Sequence, residues 1–148
     1  MNIEHEKYMR IALHQAQNAF EKGEVPIGCV IVSNPTQRII AKSYNQVETL
    51  QDPTAHAEII AITSACAYIG AKYLNDCTLY VTLEPCLMCS GAIFWAQIPH
   101  LVFGAYDTKY GLTHQTQGLL SKRVEIIGGI LEKECKSLIQ TFFKQKRS

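Results

Sequence analysis

The chain has 148 residues, 47% of them hydrophobic, and its 14 Lys or Arg and 13 Asp or Glu give a formal net charge of +1 at pH 7. This length suits a single domain over residues 1–148 with a buried core. The balanced charge excludes an acidic disordered tail and a uniformly basic nucleic-acid coat. No basic segment followed by an apolar one opens the sequence, and no apolar run reaches the roughly 18 residues of a membrane span. We therefore expect a cytoplasmic protein with no membrane partner.

The first part of the chain predicts a helix followed by a β-hairpin. Apolar residues within 9–20 fall on one helical face, and Gly23 can end that helix. The apolar, β-branched run 28–33 predicts a buried strand. A turn at 34–37 then leads into a second strand at 38–43.

A polar loop at 44–52 separates the hairpin from a second long helix. This helix is expected from about Ala55 to Cys66 or beyond, with Thr54 as its N-cap and Gly70 at its end. Because the helix is apolar nearly all round, we expect it to be buried.

The rest of the chain alternates between strands and helices. Residues 78–83 alternate as a strand does, and a helix opens at 84–86 with Pro85 in its first turn. Two more strands and a last helix are expected at 101–103, 124–127 and 131–144. The order α-β-β-α-β-α-β-β-α predicts an α/β fold of three layers, α/β/α, around a central five-stranded mixed sheet.

The six cysteines are expected to be reduced thiols, because a cytosolic chain of this size does not depend on disulfides. Four are interpreted as structural residues: Cys29, Cys66, Cys77 and Cys135. Cys86 and Cys89 differ, because a spacing of three puts them on one face of a helix. They open that helix, where free N–H groups favour thiolates.

Two thiolates and the imidazole of His56 would give zinc three protein ligands. No fourth Cys or His lies nearby in sequence, so Cys86, Cys89 and His56 predict a catalytic zinc ion, one per subunit, with a position left for water. Zinc lowers the pKa of bound water, and Glu58 is the predicted catalytic group that moves protons to the leaving group. The pattern His-x-Glu with Pro-Cys-x-x-Cys is typical of zinc deaminases that act on nucleobases.

Two other interpretations of these residues stay open. Cys-x-x-Cys also occurs in thioredoxin-like redox pairs, and a distant fourth ligand would make the zinc site structural. The other histidines lie in unrelated contexts, with His5 and His14 on a helix surface and His100 and His114 elsewhere.

Four segments around these motifs carry further information. They are 24–28 (Glu-Val-Pro-Ile-Gly), 52–59 (Asp-Pro-Thr-Ala-His-Ala-Glu-Ile), 78–92, which includes Thr-Leu-Glu-Pro-Cys-Leu-Met-Cys, and 102–107 (Val-Phe-Gly-Ala-Tyr-Asp). With them the chain resembles the bacterial tRNA-specific adenosine deaminases, members of the cytidine-deaminase-like zinc enzymes. The likeness covers nearly the whole chain, up to Phe142 and Phe143 before a basic tail.

The resemblance implies zinc-dependent hydrolytic deamination of adenosine to inosine at the wobble position of a tRNA anticodon, with an arginine tRNA as the expected substrate. It implies a homodimer in which the neighbouring subunit helps to hold the anticodon stem-loop. The resemblance also implies which residues contact the substrate. Asn45 would hydrogen-bond the target base, Ile27 and Ala57 would line the base pocket, and Phe143 would pack beside the base. Asp107 would contact a ribose, and the phosphates would be contacted by Lys109, Lys144, Lys146 and Arg147.

Two features depart from the family pattern. The stretch 111–123 is several residues shorter than in better-known members, and it would lie near the bound RNA. Tyr106 stands where an Arg is common, so a stacking surface replaces a charge.

The carboxyl-terminal segment 122–148 is basic, with seven Lys or Arg against three Glu. A polyanionic partner or a solvated helix face would account for this charge equally well. Two interpretations are also open for Phe142 and Phe143: they either pack the last helix against the core or contact RNA.

Two other functions are compatible with the motifs. A free nucleobase deaminase acting on guanine or cytosine would share the zinc site, although it would not need the basic tail or the Asp107 segment. A non-catalytic RNA-binding partner subunit would share the fold, but such subunits lack the catalytic Glu, which Glu58 supplies here.

Overall fold

A computed structural model describes residues 2–112, 118 and 120–147 of the chain. Five strands form one sheet: β1 Gly28–Ser33, β2 Arg38–Tyr44, β3 Cys77–Leu83, β4 His100–Ala105 and β5 Glu125–Ile127. Their order across the sheet is β2-β1-β3-β4-β5. β1 runs antiparallel to both β2 and β3, whereas β3, β4 and β5 are parallel. The predicted mixed five-stranded sheet is confirmed.

Helices cover both faces of this sheet. They are α1 Asn2–Glu21, α2 Val47–Leu50, α3 Ala57–Ile69, α4 Leu87–Trp95 and α5 Glu132–Arg147, and a 3₁₀ turn spans Leu120–Lys122. α1 and α5 pack on one face, and α3 and α4 pack on the other. The three-layer α/β/α arrangement is therefore also confirmed.

Strand β1 is buried on both sides, which explains its unbroken apolar sequence. Cys29 and Ile31 belong to the core beneath α3 and α4, whereas Val30 and Val32 belong to the core beneath α1 and α5. Gly28 lets α1 lie directly on the strand, because a Cβ there would collide with the backbone of Ala12 and Ala16.

Two predictions about where helices begin are wrong. α3 begins at Ala57 with His56 as its N-cap, because the hydroxyl and N–H of Thr54 both donate to Asp52 Oδ1 in a local turn. Pro85 precedes α4 rather than entering its first turn, since Cys86 is extended and forms the N-cap. Both helices therefore start one or two residues later than expected.

The prediction that α3 is buried all round is also wrong. Ala57, Ala61 and Ala65 face the sheet, but Tyr68 is 67% exposed and its neighbour Ile69 is exposed too. The end of this helix is as expected, because Gly70 adopts the left-handed conformation that closes it.

Some predictions concern residues that the structure does not describe. Part of the shortened stretch 111–123, namely 113–117 with His114 and residue 119, lies outside the described residues. Among the helices that are described, none has the length and apolar character needed to cross a membrane.

Candidate active site

The three predicted zinc ligands lie where two helices begin at one edge of the sheet. β1 is antiparallel to both β2 and β3, so β2 and β3 point the same way and end at the same edge. His56 is the N-cap of α3 and follows β2, and Cys86 is the N-cap of α4 and follows β3. The carboxyl edge of an α/β sheet is where such folds place their sites.

The distances between the ligand atoms fit a zinc ion. His56 Nδ1 lies 3.7 Å from Cys86 Sγ and 3.5 Å from Cys89 Sγ, and all three ligand atoms lie within 4.8 Å of one another. Tetrahedral zinc with its usual bond lengths separates such atoms by about 3.5–3.8 Å. No other group of this kind occurs among the described residues.

Hydrogen bonds stabilise the thiolate form of Cys86, which is the form that binds zinc. The bond from Cys89 and the contact with His56 lower the pKa of Cys86 to about 4. The bond to Cys86 raises the pKa of Cys89, and burial adds to this effect. The pKa of His56 is raised in turn by its hydrogen bond with Cys86. Because zinc binds thiolates and neutral imidazole, metal binding here must release protons and weaken at low pH.

Glu58 is buried at the start of α3, with only 4% of its surface exposed. Burial raises the pKa of this carboxyl to about 7, with a smaller upward contribution from Cys86. The carboxyl group also interacts with Cys89, so it lies beside the ligand set. A carboxyl that titrates near neutral pH can both accept and return a proton, as a general acid–base catalyst must.

An open cleft of about 620 Å³ reaches one of these ligands, His56. Its described lining includes His56 together with Ile27, Asn45, Phe143 and Lys146. Four of the predicted substrate contacts are thus brought together beside a predicted metal ligand. A groove of about 700 Å³ between α1 and α5 is slightly larger, but none of its described lining residues belongs to the predicted site.

The side chain of Asn45 is buried at the inner wall of the cleft. Its backbone N–H donates to the carbonyl of Ile27 at 3.0 Å, which fixes the residue in place. Its side-chain oxygen Oδ1 has no hydrogen-bond partner among the described residues. A buried acceptor without a partner is uncommon and points to a ligand or a water.

Three other predicted contact residues do not line this cleft in the described structure. Ala57 is fully buried in the core, and its carbonyl accepts a hydrogen bond from Ser43. Asp107 Oδ1 accepts the backbone N–H groups of Lys109 and Tyr110, so this carboxylate shapes its own turn. The side chain of Lys109 is exposed.

The two phenylalanines near the end of α5 have different surroundings. Phe142 is buried and packs edge-on against Phe20, with ring centres 5.7 Å apart. Phe143 is 41% exposed, packs against Phe142 and lines the cleft. Burial therefore accounts for Phe142, whereas Phe143 is available to a ligand.

Sequence reasoning missed two buried carboxylates beside the site. Glu24 accepts hydrogen bonds from the backbone of Glu48 and from Thr49, and Glu84 accepts one from the N–H of Asp107 at 2.9 Å. Glu24 comes shortly after the charged pair Glu21 and Lys22, so its position in the sequence does not mark it as buried. The partners of both carboxylates lie more than twenty residues away, and no local pattern identifies them.

A sequence profile of the cytidine and deoxycytidylate deaminase zinc-binding region matches residues 2–105. The chain therefore belongs to this family of zinc-dependent deaminases. The profile includes the His-x-Glu and Cys-x-x-Cys motifs, and the predictions of an enzyme and of a zinc cofactor are confirmed.

Within the family, the chain is similar to tRNA-specific adenosine deaminases. It is 44% identical to that of Bacillus subtilis over 147 residues, covering 96% of this chain and 90% of the relative. A structure from work on A-to-I editing by tRNA:A34 deaminases at the wobble position superposes with a TM-score of 0.83 at 40% identity, covering 89% of this chain and 98% of that one. The resemblance seen in the sequence is confirmed.

Guanine deaminase from Bacillus subtilis is also similar. Its structure superposes with a TM-score of 0.66 at 43% identity, covering 70% of this chain and 66% of that one. The likeness to a free-base deaminase is thus real, but it extends over less of both chains.

Replacing Cys86 by Ala should abolish zinc binding, because two protein ligands hold the ion much less tightly than three. Metal content after purification and dialysis, measured by mass spectrometry of the metal, checks this. Cys66→Ala is the matched control, since that thiol lies elsewhere on α3 and should leave about one zinc per chain. A full zinc complement in Cys86→Ala would overturn the ligand assignment.

Proposed function

We propose that this protein deaminates adenosine to inosine at the wobble position of a tRNA anticodon, with an arginine tRNA as the substrate, and that it acts in the cytoplasm. The observation that carries the proposal is the cleft, which combines a metal ligand, an unpartnered amide oxygen, an exposed aromatic ring and a lysine. Likeness to tRNA-specific adenosine deaminases over nearly the whole chain supports the same substrate.

The reaction replaces the 6-amino group of adenine by oxygen from water and releases ammonia. A zinc ion held by His56, Cys86 and Cys89 would supply the Lewis acid that activates this water. Glu58 takes a proton from the attacking water on its carboxylate and delivers protons to the ring and to the departing amine. A carboxyl with a pKa of about 7 is suited to both transfers.

Recognition of the nucleotide requires that the base leave its stack and enter the cleft. Asn45 Oδ1 accepts a hydrogen bond from the bound nucleoside, which satisfies an acceptor that is otherwise buried and unpartnered. Ile27 contacts the base through its apolar side chain, and Ala57 shapes the pocket from the core behind it. The exposed ring of Phe143 offers a surface on which a base can stack.

Basic residues are the proposed contacts to the RNA backbone. Lys146 lines the cleft, and Lys144, Arg147 and Lys109 are the other phosphate contacts that we propose. Asp107 contacts a ribose while its turn is held by the buried carboxylate of Glu84. Such contacts make binding weaken as salt concentration rises.

The proposal is tested by incubating the zinc-loaded protein with an unmodified arginine tRNA transcript that carries a wobble adenosine, and mapping inosine by sequencing. Conversion confined to that adenosine is expected. The control transcript has the wobble adenosine replaced by guanosine and should yield no inosine. Failure to convert the first transcript, with one zinc bound per chain, would contradict the proposed function.

A free guanine deaminase is the second candidate, because the similarity to the guanine deaminase of Bacillus subtilis favours it. Release of ammonia from guanine, with no inosine formed in tRNA, would select this function instead. Binding of tRNA with zinc present and no release of ammonia from either substrate would select a non-catalytic RNA-binding subunit.

Replacing Glu58 by Ala should lower turnover by about 100-fold to 10,000-fold, the range expected when a general acid–base catalyst is removed. Zinc content should stay at the wild-type level, because Glu58 is not one of the three grouped ligands. Single-turnover inosine formation and metal analysis on the same sample provide the check. Turnover within about tenfold of wild type would rule out the proton-transfer role.

We further propose that the enzyme is a homodimer formed through exposed apolar residues of α3 and α4. This α3–α4 surface consists of Tyr68, Ile69, Leu87, Met88 and Trp95, and Trp95 alone is 75% exposed. A group of large apolar side chains on one face of a protein is typical of an interaction site. Leu87 and Met88 stand between the two zinc-binding cysteines in sequence, so a second subunit on this surface would lie beside the catalytic site.

Trp95→Glu should convert the dimer to a monomer, because a charge placed in an apolar interface loses its hydration on association. Sedimentation equilibrium measures the mass directly. Ile3→Glu is the control: Ile3 is 82% exposed but lies on α1, outside the α3–α4 surface, and its replacement should leave the dimer intact. A wild-type monomer at micromolar concentration, or an unchanged dimer in Trp95→Glu, would contradict this interface.

A further inference from the structure

Glu24 is a fully buried acidic residue in the connection between α1 and β1. Its Oε1 accepts the backbone N–H of Glu48 at 3.0 Å. Its Oε2 accepts the backbone N–H of Thr49 at 2.6 Å and the Thr49 hydroxyl at 2.7 Å. Both carboxylate oxygens are therefore directed at one short segment, which lies more than twenty residues further along the chain.

These bonds do the work of a helix cap. Glu48 and Thr49 are the second and third residues of α2, and their N–H groups are those that a capping side chain normally accepts. The local N-cap residue, Gln46, makes no side-chain capping bond. Glu24 thus caps α2 from a distant part of the sequence.

Burial works against ionisation of Glu24, but the hydrogen bonds from Thr49 and Glu48 outweigh it and lower the pKa of the carboxyl. The group is therefore a carboxylate at neutral pH, and its bonds to α2 are charge-assisted. Such bonds are shorter and stronger than those between neutral groups.

The segment that Glu24 holds is a wall of the cleft. Asn45 and Val47 line the cleft, as does Glu24 itself. The N–H of Asn45 is bound to Ile27, and that of Gln46 is bound to the carbonyl of Ala55 at 2.9 Å. The carboxylate of Glu24 fixes the next turn of the same segment, so the position of Asn45 and the cap of α2 are parts of one arrangement.

We propose that Glu24 is a positioning residue that sets substrate affinity by capping α2 and thereby holding Asn45 and Val47 in the wall of the cleft. The inference rests on the proposed function, because Asn45 is the residue through which Glu24 acts on the nucleotide. Glu24 itself does not need to touch the reacting atoms. Loss of the cap should therefore weaken binding of the tRNA much more than it slows the chemical step.

The first test is Glu24→Gln, which keeps the shape of the side chain but turns one of its oxygens into an NH₂ group. That group then opposes an N–H donor of α2, so at least one capping bond is lost. We expect the KM for the tRNA transcript to rise about tenfold or more, with kcat within about threefold of wild type, the pattern of lost uniform binding. Zinc content should not change.

Glu21→Gln is the matched control for charge. Glu21 is an exposed acid at the end of α1, three residues before Glu24, and the change removes the same charge beside an RNA-binding surface. It should leave KM within about twofold of wild type. Equal changes in KM for Glu21→Gln and Glu24→Gln would show that the loss of a negative charge alone explains the weaker binding, and would overturn the proposal.

A second variant changes Thr49, the residue that donates two of the hydrogen bonds to Glu24. Thr49→Val removes the hydroxyl donor and keeps the backbone N–H, so KM should rise in the same direction but less than in Glu24→Gln. Because the two residues share a bond, the effects of the double variant should be smaller than additive. Additive effects would show that they act independently and would contradict the capping role.

Amide hydrogen exchange of the free protein tests the cap without any substrate. The amides of Glu48 and Thr49 should exchange about tenfold or more faster in Glu24→Gln than in wild type or Glu21→Gln. Wild-type exchange rates in Glu24→Gln would overturn the cap itself. Faster exchange with an unchanged KM would leave a purely structural role and overturn the positioning role. Faster exchange in an enzyme whose wild type edits no tRNA would instead mark failure of the proposed function.

Discussion

The site depends on two helices beginning at the same edge of the sheet. β1 lies between β2 and β3 and is antiparallel to both, so the chain leaves β2 and β3 on one side. His56 is the N-cap of α3, which follows β2 and the short helix α2, and Cys86 is the N-cap of α4, which follows β3; their ligand atoms lie 3.7 Å apart. At such positions the free N–H groups of the first turn favour negative charge, which suits thiolate ligands. Strand direction thus places the metal site at this edge of the sheet, and the helix N-termini there stabilise the thiolate form of cysteine that binds the metal.

Three buried glutamates surround this edge, and their neighbours give them different roles. Glu58 is buried with few compensating donors, and burial raises its pKa to about 7, a value at which a carboxyl can accept and return a proton. Glu24 receives three hydrogen bonds and stays ionised as a fixed acceptor. Glu84 accepts the N–H of Asp107 and closely approaches Gly111, where a Cβ would collide with its carboxylate. With the proposed role of Glu58, the same side-chain type would provide one proton-transfer group, while Glu24 and Glu84 accept hydrogen bonds from the loops beside this edge.

The features that could be predicted from the sequence are those that depend on residues close together in the chain. The apolar, β-branched run of β1 gave its bounds, and the spacing of Cys86 and Cys89 on one helical turn predicted a metal site that the distances fit. The errors arose where a distant partner decides. The turn around Asp52 takes the hydroxyl that would have capped α3, and α2 forms in a polar loop because Glu24 caps it from the α1–β1 connection. No pattern within the 44–52 loop contains that information.

The wrong prediction about α3 is informative in its own right. Its sequence is apolar nearly all round, as expected of a helix covered on every side, yet Tyr68 and Ile69 near its end are exposed in the single chain. The proposed homodimer through the α3–α4 surface would supply the missing cover, and the apolar sequence of α3 would then be explained by the assembly rather than by the subunit. Since α3 and α4 also carry the grouped ligands, packing of a second subunit against them would bear directly on the first turns that hold His56, Cys86 and Cys89. Dimer formation and metal-site geometry would then share the same two helices, which gives a physical reason for the two to depend on each other.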